Sequence, residues 1–314
     1  MSPKPPHPPK PPTPPPSSPA PPLLPPLKPG GVDGDPHLHF AHGGEADFRG
    51  EDGAVYAMLH HTGLAVNALF EASAFFLASP PNLKVHGTFV TDVFLRLRCE
   101  ASGRLLRIEF SPNQPPTPVA HGLPGGTKMI QANAAALLVE DISIFTTKSG
   151  AAETLHVSTA AWAINATSRP IWRSATPGKK QIDLSLTPLR DPLSLQPSTG
   201  KVVAPHGLIG QSFDGDSFAV DGKKDHYREL WWRQTSFKGR EVTTEAQAEG
   251  AIEGTGGDYK LEDFFGIDFK YRRFEVAEAA PRNVSALTGV RRATGVQGWV
   301  HRAGTTGDDT LIAV

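Results

Sequence analysis

Residues 31–53 read GVDGDPHLHFAHGGEADFRGEDG, and this stretch decides how everything after it is read. Pro36 fixes its own φ and pushes Asp35 out of the helical region. Gly30, Gly31 and Gly34 permit a sharp approach from the preceding segment. Leu38-His39-Phe40 is a short extended piece, and His42-Gly43-Gly44 supplies a turn with positive φ available. Ala46 to Gly50 then leads to a second turn at Glu51-Asp52-Gly53. The pattern predicts a hairpin with Phe40 and Phe48 as buried anchors.

Upstream, residues 1–30 are dominated by proline, with single lysines and short serine and leucine pairs between. Such a run favours polyproline II and holds too little apolar surface to fold, so it is expected to be a disordered stalk. Downstream, short apolar-alternating segments recur between turn signals. Leu64, Val66, Ala68 and Phe70 share a face. So do Val93, Leu95, Leu97 and Cys99, opposite Arg96, Arg98 and Glu100. Leu106, Ile108 and Phe110 alternate with Arg107 and Glu109. Further strands are expected over 139–147, 155–164 and 181–187, a loop over 111–128, and one helical turn over 131–138. The expected fold is all-β: a β-sandwich or curled double antiparallel sheet of many short strands. Its expected bounds are 31–276, followed by a poorly ordered tail at 277–314.

The motifs carry a resemblance. GDPHLHF followed by GGEADFRGEDGAVYAML resembles the opening of von Willebrand factor type D domains and of plant root-cap, late-embryogenesis-related proteins. His206-Gly207-Leu208-Ile209-Gly210-Gln211-Ser212-Phe213 resembles the GLxG element late in type D domains. It also resembles the HGLIGQ element in the C-terminal region of the inter-α-trypsin inhibitor heavy chains. Asp221 to Arg228 resembles the ending of the root-cap family. Gly34, Asp35, Pro36, His37, Phe40, Phe48, Gly207, Leu208 and Gly210 are the structural motif residues. The resemblance implies an extracellular or cell-wall setting, and with it a non-enzymatic β-domain that binds a matrix or wall protein or glycan. No apolar leader follows Met1, so the sequence is read as a fragment or an alternative start of a longer protein. The sequons Asn165-Ala166-Thr167 and Asn283-Val284-Ser285 are compatible with a glycoprotein.

The formal net charge is −1, which gives no general pull toward nucleic acid or anionic membrane. No apolar run is long enough to span a bilayer. One cysteine, Cys99, cannot form an internal disulfide and is expected in the core. This separates the protein from cysteine-rich animal type D domains, whose GLCG element has cysteine where Ile209 stands here.

Three constellations could carry chemistry. Asp214, Asp216, Asp221 and Asp225 are candidate calcium ligands, hard oxygen donors on a glycine-bearing loop, although the spacing fails the EF-hand pattern. His37, His39, His42, His60 and His61 are a weaker transition-metal candidate. The Asp35-Pro36 bond is a candidate for self-cleavage, because an aspartate side chain can attack its own carbonyl and a protonated proline nitrogen leaves readily. GDPH segments in some mucins and in the inter-α-inhibitor family break there, and the resemblance implies the same chemistry with His37 assisting. Scission is expected to release the stalk. No GxSxG, P-loop or HExxH motif is present, so no ordinary enzyme and no cofactor beyond calcium is expected. A stress-protective role is a third reading, from the root-cap likeness.

Overall fold

The structure is a computed structural model that describes residues 28–78, 82–114, 118–194, 204–216, 218–234 and 240–274. Of the expected stalk at 1–30, residues 1–27 lie outside the described residues, as does the whole of the expected tail at 277–314, and Gly30 belongs to a strand.

The fold opens with β1 (Gly30–Asp33), β2 (His37–His39) and β3 (Glu45–Asp47). It then runs through β4 (Ala54–His61), β5 (Leu64–Phe76), β6 (Lys84–Arg98), β7 (Leu105–Phe110), β8 (Val119–Leu123) and β9 (Gly126–Met129). Next come β10 (Leu137–Val139), β11 (Ile142–Ser149), β12 (Ala152–Ser158), β13 (Trp162–Pro170) and β14 (Lys180–Pro188). A helix, α1 (Tyr227–Gln234), and two short strands, β15 (Glu241–Thr243) and β16 (Lys260–Leu261), complete it. One sheet has the order β10-β11-β12-β13-β14-β1-β2-β3, and the other β16-β4-β5-β6-β7-β8-β9 with β15 beside β6. Among the described strands, every pair is antiparallel except β15 with β6. The expected all-β double sheet is what the protein forms.

Period-two patterning explains the packing. β13 and β14 alternate buried and half-exposed residues, so their sheet has one wet face. Ile164, Ala166, Leu184 and Leu186 meet Val66, Phe70, Val93 and Leu95 of the other sheet in one core. Cys99 lies within it, fully buried. Phe40 and Phe48 are buried there as expected, and Phe48 sits edge-on to Tyr56 and Phe70.

β4 differs: every one of its residues is buried. Its second face is covered by a strap that leaves β16 at the sheet edge and lays Leu261, Phe264, Phe265 and Phe269 over it, while Tyr259 and Tyr271 at its ends reach the main core. Val55, Ala57, Leu69 and Phe94 pack there against Leu261 and Phe264.

Several local expectations need correction. Gly30–Asp33 is a strand rather than a bend, with β14 on one side and β2 on the other. A side chain at Gly31 would meet the Leu184 carbonyl at 2.4 Å, so absence of a Cβ is what admits β1 to the sheet. The expected loop over 111–128 contains the hairpin β8–β9. No helical turn forms at 131–138: Asn133 has φ 58°, and its N–H donates to Thr146 O. The expected strand 155–164 is two strands, because Thr159 Oγ1 accepts the N–H groups of Ala161 and Trp162 and closes a turn. The alternation over 54–59 would end a strand at Leu59 with a turn over 60–63, but His60 and His61 belong to β4 and the turn falls at Thr62-Gly63.

Candidate functional site

The two signature stretches meet in space. Leu208 N–H donates to Ala57 O and Ile209 N–H to Met58 O, so residues 206–213 dock along β4 beside its bulge. Gly207 has φ 120°, and a Cβ there would lie 2.6 Å from Met58 O. A Cβ on Gly30 would lie 2.6 Å from Ile209 Cγ2, and Ala41 N–H donates to Ser212 Oγ at 3.0 Å. Phe40 and Leu208 share one core.

The turn from β1 to β2 is Gly34-Asp35-Pro36, with Gly34 at φ 61°. This turn folds the Asp35 carboxyl inward, beside Gly87 of β6, where a Cβ would come within 3.3 Å of Asp35 Cβ. Tyr227 Oη donates to Asp35 Oδ2 at 2.6 Å. His37 Nε2 lies 3.5 Å from Asp35 Oδ1, while His37 Nδ1 lies 2.6 Å from Asp47 Oδ1. Asp47 Oδ2 accepts the Asp225 N–H at 2.6 Å, and the Asp225 carboxylate accepts the N–H groups of Glu245 and Ala246. The result is a polar seam that ties the first turn to β3 and α1.

Burial pushes the Asp35 carboxyl up to about 6. The hydrogen bond to Asp47 is the main cause that raises His37 to about 9, against the opposing cost of its burial. Between these values a carboxylate and an imidazolium coexist on either side of the Asp35-Pro36 bond. Chemically, the arrangement places a carboxylate and a protonatable imidazole beside each other on the residues that flank Pro36.

The topology changes the expected consequence of scission. β1 lies on the stalk side of this bond and is paired on both edges, so a cut would leave the upstream piece held by its β-ladders.

The structure does not gather the four candidate calcium ligands. Asp214 Oδ1 accepts the Asp216 N–H, and Asp216 Oδ1 accepts the Phe218 N–H. Asp221 Oδ1 accepts the Glu45 N–H, and Asp225 caps residues 245–246. Among the described residues, the group whose ligand atoms converge within 4.8 Å is Cys99, Glu140 and Asp141. There Glu140 takes the Ser102 hydroxyl and Asp141 the Glu100 N–H, so both carboxylates cap the β6–β7 turn. The histidines are also dispersed. His39 pairs with Asp33, His60 faces Asn67, and His42 holds a φ of 67° in its turn.

A second surface was not legible in the sequence. Phe75, Val85, Phe89, Ile171, Leu230 and Val242 form a small satellite core at the end of the sheets, with Trp231 packed against it. Two neighbours of this core project outward: Trp172 is 62% exposed and Trp232 67%. The Arg173 guanidinium lies 5.3 Å from the Trp172 ring centre, and the Trp231 and Trp232 rings are 4.9 Å apart. The sequence signal was the aromatic content of 228–233, visible without its position.

The fold and these two sites define a two-sheet β domain closed by a helix and a strap. Compared with known proteins, the sequence matches no family model and no curated protein. The likeness to type D and root-cap proteins rests on the motif residues quoted above. Among the described residues, no helix is long and apolar enough to cross a membrane.

Proposed function

We propose that this protein is a non-enzymatic extracellular or wall-associated interaction domain that binds a glycan-bearing matrix or wall partner through the Trp172 and Trp232 face. What carries this reading is the exposure of two indole rings, each next in the chain to a residue of the satellite core (Ile171, Trp231), one of them with an arginine over it. Flat aromatic faces take the apolar faces of sugar rings, and arginine supplies planar hydrogen-bond donors beside them. The proline-rich upstream composition suits a spacer that presents such a domain. Retention of the full-length protein on immobilised wall polysaccharides and glycoproteins, compared with W172A/W232A, tests it. Equal retention of the two would refute it.

A second reading is self-processing at Asp35-Pro36, favoured by the Asp35, His37 and Tyr227 geometry. The Asp35 carboxylate adds to its own backbone carbonyl carbon and forms a five-membered cyclic anhydride. The bond to Pro36 N breaks as that nitrogen takes a proton from His37. Water then opens the anhydride, leaving a C-terminal aspartic acid and a free Pro36 amine.

A further inference from the structure

The strap over β4 packs on two histidines held neutral, His60 by its burial and His206 by burial and an N–H donated to its ring. The bulge after Ala57 turns His60 onto the outer face, under the strap. Its ring is fully buried, with Nε2 2.7 Å from Asn67 Oδ1. Asn67 Nδ2 donates to the carbonyls of Phe264 and Gly266, both at 2.9 Å. The amide nitrogen is thus committed to the strap, its oxygen faces the imidazole, and His60 donates from Nε2. His60 Nδ1 is buried without a partner, and Phe269 of the strap packs edge-on at 4.8 Å.

His206 is joined to His60 by backbone hydrogen bonds in both directions, at 2.6 and 2.9 Å. Its Nδ1 accepts the Gly207 N–H at 2.9 Å, which a protonated ring could not do. Its Nε2 lies 3.3 Å from Glu253 Oε2, and its ring stacks on Tyr271 of the strap at 4.5 Å.

We propose that His60 and His206 form an acid-sensitive latch: protonation frees the strap, residues 261–271, and bares the apolar outer face of β4, β5 and β6. A proton on His60 Nδ1 meets no acceptor, and one on His206 Nδ1 opposes the Gly207 N–H. The surrounding charges favour this outcome. Arg96 of β6 bonds Phe265 O and lies over Phe274, adding a cation beside His60. Asp263 and Asp268 of the strap face Arg96, as do Arg98 and Arg107. Arg273 opposes a charge on His206, and Glu253, on the solvent side, is the carboxylate that favours one. From β5, the group facing His60 is the uncharged Asn67.

Burial pulls His60 from 6.5 down to about 4 and lowers His206 as well. The closed form therefore binds fewer protons than the open one. Its advantage is complete above about 6.5 and is lost as the pH falls toward 4. For His60 alone, the opening constant rises about thirty-fold by pH 5.

The test is hydrogen exchange on the full-length protein at pH 7.5 and 5.0, corrected for intrinsic rates. Amides of 261–271 are expected to lose at least about tenfold in protection while those of β12 and β13 keep theirs. In H60Q/H206Q that selective loss should vanish. Equal protection of the strap at both pH values would overturn the proposal, as would simultaneous loss across both sheets or an unchanged loss in the double variant. If the double variant does not fold, the wild-type His60 ring signal decides by NMR. Titration near 6.5 with unmoved strap resonances would overturn the latch, and strap resonances that shift as His60 protonates well below 6.5 would support it.

Discussion

Tyr227 Oη donates a 2.6 Å hydrogen bond to Asp35 Oδ2, joining residues 192 positions apart. It fastens α1 onto the first turn of the domain. The acceptor is a buried carboxyl, and removing a donor from such a group costs about 1–3 kcal/mol. Tyr227→Phe should lower stability by that amount in denaturant unfolding. Asp35→Asn keeps an acceptor for the tyrosine and removes the cost of a buried charge above pH 6, so it should be neutral or stabilising there.

His37 gives a pH dependence of known sign. Its folded value is raised to about 9 by Asp47, above the ordinary 6.5. The native state therefore holds the proton more tightly than the unfolded state. The resulting stability is complete below about 6.5 and is lost as the pH rises through 9. Thermal unfolding of wild type should decline over that window. In His37→Gln the decline should flatten.

Gly207 is held at φ 120° with Met58 O 2.6 Å from the position of a Cβ. Gly207→Ala should destabilise by several kcal/mol, on the order of a strained backbone plus a displaced neighbouring strand. Gly53 has φ 70° with nothing within 4 Å of its would-be Cβ. Gly53→Ala is the control and should cost about 1–2 kcal/mol, the strain of a left-handed backbone alone.

The aspartates of the candidate calcium loop separate by the work they do. Asp225 is half-buried and caps two N–H groups, so Asp225→Ala should cost about 1–3 kcal/mol. Asp214 and Asp216 cap their own exposed turn. Their alanine variants should stay within about 0.5 kcal/mol of wild type. Melting curves with calcium and with chelator check whether that ranking changes.

Self-processing has its own readout. Incubation of the full-length protein between pH 6 and 9 followed by denaturing mass spectrometry should show a break at Asp35-Pro36, absent in Asp35→Ala. Because β1 is paired on both edges, the two pieces should co-elute under native conditions. An uncut wild-type protein would remove this reading.

The sequence carried the long strands because one face of β5, β6 and β7 is apolar at every second residue; only β7 alternates in burial, since β5 and β6 are covered on both faces over much of their length. It carried the hairpin anchors Phe40 and Phe48 for the same reason. It did not carry β1, because Gly30-Gly31-Val32-Asp33 has little strand propensity and its place is set by what its missing side chains allow. The aromatic, charged segment over 261–273 could be read as a last strand or as a segment packing across the sheet; it supplies both, β16 and the strap, and only the face it covers was left to the fold. The aspartates clustered in sequence but were drawn to different backbone partners, a tertiary competition that spacing does not encode. The satellite core joins Ile171 of the β13–β14 loop to Leu230 of the helix, and only the folded protein brings these together.

The most direct measurement is a tryptophan fluorescence titration of the full-length protein with the wall glycan or glycoprotein that retains it. Binding over Trp172 and Trp232 should shift the emission to the blue, and W172A and W232A should each weaken affinity at least about tenfold, or about 1.4 kcal/mol. An unchanged affinity in W172A/W232A with an intact melting curve would contradict the account.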